Sequence, residues 1–306
     1  MAKEKLTIIC PVYNEEKVVP LFFERLRPVR EELSEQFDVD LVFCNNASTD
    51  STLDAIADIR TANPNVYVLN LSCNVGYQRS VECGLRTSKG DLFVIIDVDC
   101  EDPPEMIPRF IALHEQGYDV VYGERVDRTE PTWIIALRRI FYRLMRSVAD
   151  ENIMLDMAEF SLMTAEVRDA ISQDRTSFPF IRSSISRVGF RITGIPYKRE
   201  PRIGGQTHYS LIGMTIFAVA GILSSSTLLL RLPIYVLPFF IVLVVLLAVT
   251  NIVADAPWTN PTLLSLTSIY LGATASFIAV YVARIYKNTL GRPNFIVRRN
   301  GTYRQP

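Results

Sequence analysis

Between residues 5 and 123, short apolar runs alternate regularly with longer stretches of mixed polarity. The apolar runs are KLTIIC (5–10), VDLVFC (39–44), VYVLNL (66–71), LFVIID (92–97) and DVVYG (119–123). Residues 15–36, 51–61, 77–88 and 104–116 lie between them and read as helices. Strands that are apolar throughout and separated by helices predict an α/β domain, with a mostly parallel sheet covered on both faces. Ligands of such sheets bind beyond the carboxyl ends of the strands. The polar motifs fall there: PVYNEE after the first strand, NNASTD after the second and DVD after the fourth.

After about residue 205 the pattern suits a different solvent. Leu232–Ala254 is 23 residues without a charge, ~35 Å as a helix against a hydrocarbon core of ~30 Å. Leu263–Ala283 is a second uncharged stretch, of 21 residues. DAPWTNP joins them, with Trp258 of the type that sits at membrane interfaces. This predicts a transmembrane hairpin. Leu211–Leu230 is also uncharged, but contains Gly213, Gly221 and the polar cluster Ser224–Thr227. Two spans keep the large domain and the basic C-terminus on one side, as the positive-inside rule prefers; three would put six positive charges outside. Residues 211–230 are therefore expected in or near the interface, where their exposed surface also offers a contact for a homo-oligomer. The resulting division is a catalytic domain over 1–205, juxtamembrane helices over 206–231, two transmembrane helices over 232–286 and a basic cytoplasmic tail over 287–306.

Charge and composition narrow this further. A net charge of −1 gives no global basic field of the kind a nucleic-acid binder needs. From Arg284 onward, however, six Arg/Lys and no acid predict a tail that meets anionic lipid. The five cysteines show no CxxC spacing and read as small buried hydrophobes in a reducing compartment. MAKEKLTIIC has no apolar stretch long enough for a signal peptide, so the first domain is expected not to be exported.

VIIDVDCEDPPE (94–105) drives a buried-looking strand into a knot of acids. Asp97 and Asp99, two apart at a strand end, are expected to converge on one point. Two carboxylates so close raise each other's pKa unless a cation is present. Mg²⁺ or Mn²⁺ takes one or two protein carboxylates and fills its shell with phosphate oxygens and water, which points to a nucleoside diphosphate. The prolines and acids of DPPE also suit a helix start.

PVYNE at 11–15, an Asx/Ser/Thr-rich turn at 45–50, DVD at 97–99 and DPPE at 102–105 follow one another at successive strand ends. This order resembles family 2 glycosyltransferases, and more narrowly the polyprenyl-phosphate glycosyltransferases, which include dolichyl-phosphate mannose synthases and bactoprenol glucosyltransferases. The resemblance covers nearly the whole chain. It implies a GT-A fold, a nucleotide-sugar donor, a divalent metal and a lipid-phosphate acceptor. It places Pro11, Tyr13 and Glu15 around the base and ribose, and Asn46 where an Asp usually reads the base. Asp97, Val98 and Asp99 match the metal and diphosphate motif, and Arg125 a basic residue after the following strand. Arg199, Arg202, Gln206 and Thr207 match a basic loop before the membrane, suited to phosphate recognition.

Several positions depart from the family pattern. Asn45, Asn46 and Ala47 stand where a DDGS-like turn is usual, and Cys73 and Tyr77 where basic residues are common. Glu159 and Ser161 replace the Asp and Arg of a TGDFRL-like segment, and His208 replaces a Lys. The implied reaction is an inverting transfer of one sugar from a UDP- or GDP-linked donor to polyprenyl phosphate at the cytoplasmic face of the inner membrane. The acceptor is already an anion at pH 7, so Glu159 is assigned only an orienting or base role. Two rivals are a processive polysaccharide synthase, for which the chain lacks a QxxRW string, and a membrane-tethered nucleotide-sugar-binding scaffold without turnover.

Overall fold

The computed structural model describes residues 3–125, 157–174, 176–204 and 226–305. The five expected strands form as β1 (Glu4–Val12), β2 (Phe37–Asn45), β3 (Val66–Asn70), β4 (Leu92–Ile95) and β5 (Val120–Arg125). Two more, β6 (Met157–Thr164) and β7 (Ile192–Tyr197), complete a seven-stranded sheet in the order β3-β2-β1-β4-β6-β5-β7. Every neighbouring pair is parallel except those that β6 makes with β4 and β5. The carboxyl ends of β1–β5 and β7 therefore share one edge with the start of β6.

Helices cover both faces because strand residues alternate between them. Ile8, Leu41, Phe43 and Val94 face one core with α1 (Val18–Leu33), α2 (Thr52–Ala62) and α4 (Ile107–His114), centred on Phe22, Leu26, Ile56 and Phe110. Ile9, Val42, Cys44, Phe93 and Ile95 face the other with α3 (Tyr77–Thr87), α5 (Ala165–Ser172) and α6 (Ile181–Arg187). Gly84 lets α3 lie this close: a Cβ there would come within 2.4 Å of Ile9 and 2.9 Å of Cys44. Cys10, Cys44, Cys83 and Cys100 are buried as expected, whereas Cys73 is exposed.

The C-terminal hairpin consists of α7 (Leu228–Ala254) and α8 (Thr259–Thr289), both long and apolar enough to cross a membrane. Phe240 stacks on Tyr270 at 4.5 Å, and the Tyr270 and Tyr281 hydroxyls donate to the carbonyls of Pro233 and Ser226. The outward side chains are almost all apolar, Phe239 and Ile252 being 78% and 82% exposed. Gln206, Thr207 and His208, and residues 211–225 of the expected interfacial stretch, lie outside the described residues.

The basic tail packs in part on the sheet. Residues 296–303 fold back along β3. Val68 and Tyr303 exchange backbone hydrogen bonds of 2.9 Å, and the amide of Ser72 donates to the carbonyl of Ile296 at 2.8 Å. Arg284 and Lys287 sit over the Phe178 ring, and Arg298 donates to the Ser72 carbonyl. Backbone pairing covers this edge of the sheet, while Arg292, Arg299 and Arg304 stay exposed. Residues from Asn294 onward thus pack against the sheet domain.

Candidate active site

The loops leaving β1 and β2 are knitted together. The Asn14 amide donates to Ser48 Oγ at 3.0 Å, the Thr49 amide to Asn14 Oδ1 at 2.8 Å and the Glu15 amide to Thr52 Oγ1 at 2.8 Å. Pro11 is buried at the end of β1, where its missing N–H costs little because the β1–β4 ladder stops at Ile9. Tyr13 and Glu15 follow it, half-buried, at the sheet edge.

Both turns use left-handed backbone, at Asn14 (φ 55°) and Ala47 (φ 56°). Asn tolerates this region, but Ala does so at a cost of about 1 kcal/mol. Ala47→Gly is therefore expected to raise the thermal midpoint of the purified protein by about 2–4 °C. A midpoint unchanged or lowered would show that the turn carries no such strain.

Asn46 is buried, and its amide is engaged within the protein. It donates to Asn74 Oδ1 at 3.0 Å and accepts from the Val75 amide at 2.9 Å. It thereby joins the β2 turn to the loop after β3.

The acidic pair lies on a turn, not on a strand. β4 ends at Ile95, and the chain bends through Asp97–Cys100, with Cys100 at φ 55°. Val98 packs into the core. Asp99 accepts from the Glu101 amide at 3.1 Å and lies 3.3 Å from Arg202 Nη2. Arg202 Nε donates to Glu101 Oε1 at 2.8 Å, and Arg199 pairs with the other oxygen of Glu101. Arg125 reaches buried Asp102 at 3.2 Å and Tyr197 at 3.2 Å, and Tyr197 donates to Asp102. Arg25 Nε and Nη2 donate to the two carboxylate oxygens of Glu105. So the acids of 99–105 tolerate one another because four arginines, from α1, β5 and the segment after β7, interleave with them.

Asp97 is the exception. Among the described residues its partner is the Tyr77 hydroxyl, donating at 2.8 Å, and no cationic side chain pairs with it. Burial, followed by the charges of Asp99 and Asp102, pushes its pKa up to about 7. Burial also raises Asp99, and burial and the Asp97 charge raise the Tyr77 phenol. No cluster of three or more His, Cys, Asp or Glu able to hold a metal occurs among the described residues. An underneutralised pair of carboxylates, without further ligands, suits Mg²⁺ or Mn²⁺ that takes its remaining ligands from phosphate and water.

Glu159 lies across from this pair at the start of β6, 6% exposed. Its Oε1 accepts from Arg182 Nε at 2.7 Å and from Gln78 Nε2 at 2.9 Å, while Gln78 Oε1 accepts from the Ile181 amide. A carboxylate so engaged holds Arg182 and Gln78 in place. Arg182 has no motif to signal it in the sequence, and the resemblance did not single it out. Tyr77 was noted only as a departure, yet it is the residue that bonds Asp97.

Comparison with known proteins gives the family. Residues 7–171 match the family model described as glycosyl transferase family 2. The chain is 31% identical to the uncharacterized glycosyltransferase YkcC of Bacillus subtilis (strain 168), over 96% of this chain and 93% of that one. It is 30% identical to a prophage bactoprenol glucosyl transferase homolog of Escherichia coli (strain K12), over 96% and 99% respectively. A solved structure of glucosyl-3-phosphoglycerate synthase from Mycobacterium tuberculosis, in complex with Mn²⁺, uridine-diphosphate and phosphoglyceric acid, superposes with a TM-score of 0.52. It shares 17% identity and covers 72% of this chain and 78% of its own, a likeness of fold.

Proposed function

The chain belongs to glycosyl transferase family 2 and is a glycosyltransferase, and from that premise we propose that it transfers one sugar, with inversion, from a UDP- or GDP-linked donor to polyprenyl phosphate at the cytoplasmic face of the inner membrane. The observation that carries the reading is Asp97, which among the described residues has no cationic partner, beside Asp99 with its rim of Arg202 and Arg199. Full-length similarity to a bactoprenol glucosyl transferase homolog supports the lipid acceptor. Bound at Asp97 and Asp99, Mg²⁺ or Mn²⁺ would act as a Lewis acid toward a departing diphosphate. Tyr77 orients the Asp97 carboxylate, and Arg202 offers a planar fork toward an incoming phosphate. Glu159, through Arg182, shapes the opposite wall. No strong base is required, because a phosphate monoester of a lipid is an anion at neutral pH.

The tail supports the topology. A segment paired with β3 lies on the same side of the bilayer as the sheet. α7 and α8, the two candidate spans among the described residues, would return the chain to that side. The basic residues of that tail favour the cytoplasm.

Inverted and right-side-out vesicles, supplied with Mn²⁺, polyprenyl phosphate and a panel of radiolabelled UDP- and GDP-sugars, test both points. Labelled lipid is expected only in inverted vesicles and from one donor class. No labelled lipid and no nucleoside diphosphate release with any donor would favour the scaffold reading; transfer confined to right-side-out vesicles would reverse the face.

A further inference from the structure

We propose that the C-terminal segment 298–302 is part of the donor site's scaffold, positioning its nucleoside-side turn through Asn70. This deepens the reading above and rests on it.

Asn70 is the last residue of β3 and pairs in register with Asn45 of β2. Three of its four polar groups are taken by the tail. Its backbone amide donates to Thr302 Oγ1 at 3.0 Å, its carbonyl accepts from the Arg298 amide at 2.8 Å, and its side-chain NH₂ donates to the Asn300 carbonyl at 3.1 Å. The fourth, Oδ1, accepts from Asn45 Nδ2 at 3.0 Å in a buried contact. Asn45 Oδ1 in turn accepts from the Ser48 amide at 3.2 Å, and Ser48 Oγ from the Asn14 amide. A continuous hydrogen-bonded path therefore runs from the tail, through one amide side chain, into both donor-side loops. Without its tail partners the Asn70 amide is free to rotate, and Asn45 loses its fixed acceptor.

Protection of a bare sheet edge does not by itself explain this geometry. The ladder contacts at Val68 and Leu71 already cover β3 on either side of Asn70. Between them the tail leaves the ladder in a turn that places a carbonyl and a hydroxyl on Asn70. Gly301, at φ 71°, makes the turn: a Cβ there would come within 2.9 Å of Leu53 and 3.0 Å of Asn70 Nδ2. The turn is pinned beyond by Gln305, whose amide reaches Asp40 and Thr7, and by Arg60 over the Tyr303 ring at 3.9 Å.

Thr302→Val removes one oxygen at constant shape, and Thr302→Ser keeps it. Calorimetry of the detergent-solubilised full chain with UDP and with GDP, in Mn²⁺, reads the consequence. The Val variant is expected to bind about three- to ten-fold more weakly, with kcat and the acceptor KM unchanged, while the Ser variant matches wild type. Asn70→Asp, which keeps the acceptor for Asn45 but sets a carboxylate against the Asn300 carbonyl, should reproduce the Val result if the Val protein does not fold. Wild-type affinity in both Thr302→Val and Asn70→Asp, or equal weakening in Val and Ser, overturns the inference alone. A wild-type protein that binds neither nucleotide overturns the donor-site reading and the inference with it.

Discussion

Asp99→Asn is expected to lose at least about a thousandfold in turnover while remaining folded and membrane-bound. The amide oxygen can still accept from the Glu101 amide, which holds the bend at 3.1 Å, so the local backbone has no reason to move. What disappears is one of two negative charges, and with it half of the set available to a hard cation. Arg202 keeps its stronger contact, to Glu101 at 2.8 Å, and stays near its place. Mn²⁺ binding, followed by electron paramagnetic resonance on the purified protein, separates loss of metal from loss of chemistry. Absent Mn²⁺ binding together with absent turnover is the expected pair of results. Full turnover in this variant would remove the metal assignment altogether.

The elements carrying the motifs were legible because burial on two faces leaves a plain sign. Ile8, Ile9, Leu41, Val42 and Phe43 must all be apolar when helices lie above and below them. β6 left no such sign: MAEFSLMT is buried along nearly its whole length, yet it includes Glu159 and Ser161, whose polar groups are satisfied by Arg182, Gln78 and a backbone carbonyl. β7 carries Gly194 and Pro196, which mask a strand. The tail was read from its charges, but it docks through backbone groups and through Asn, Thr and Gln side chains, which have no periodicity to detect.

At the site, spacing alone identified the acids. Their neutralisation was hidden, because Arg25, Arg125, Arg199 and Arg202 come from segments up to 177 residues apart in the chain. Such long-range pairing follows from the order of strands, not from any local pattern.

Arg202→Ala is the second large effect, an expected loss of about a hundredfold in kcat/KM that falls mainly on the acceptor. The guanidinium spans two carboxylates, Asp99 and Glu101, with different nitrogens. Once it is gone, Asp99 retains a single backbone donor, and the rim turns more negative where a lipid phosphate must approach. Arg202→Lys is expected to recover little, since an ammonium cannot address two carboxylates and a phosphate from a planar fork. Initial rates with donor and acceptor varied separately decide the placement. A raised acceptor KM with nearly unchanged donor KM puts the lipid phosphate at this rim. A change confined to the donor would instead assign Arg202 to the diphosphate and move the acceptor phosphate elsewhere, with Arg182, already held at the opposite wall by Glu159, as the next arginine to substitute.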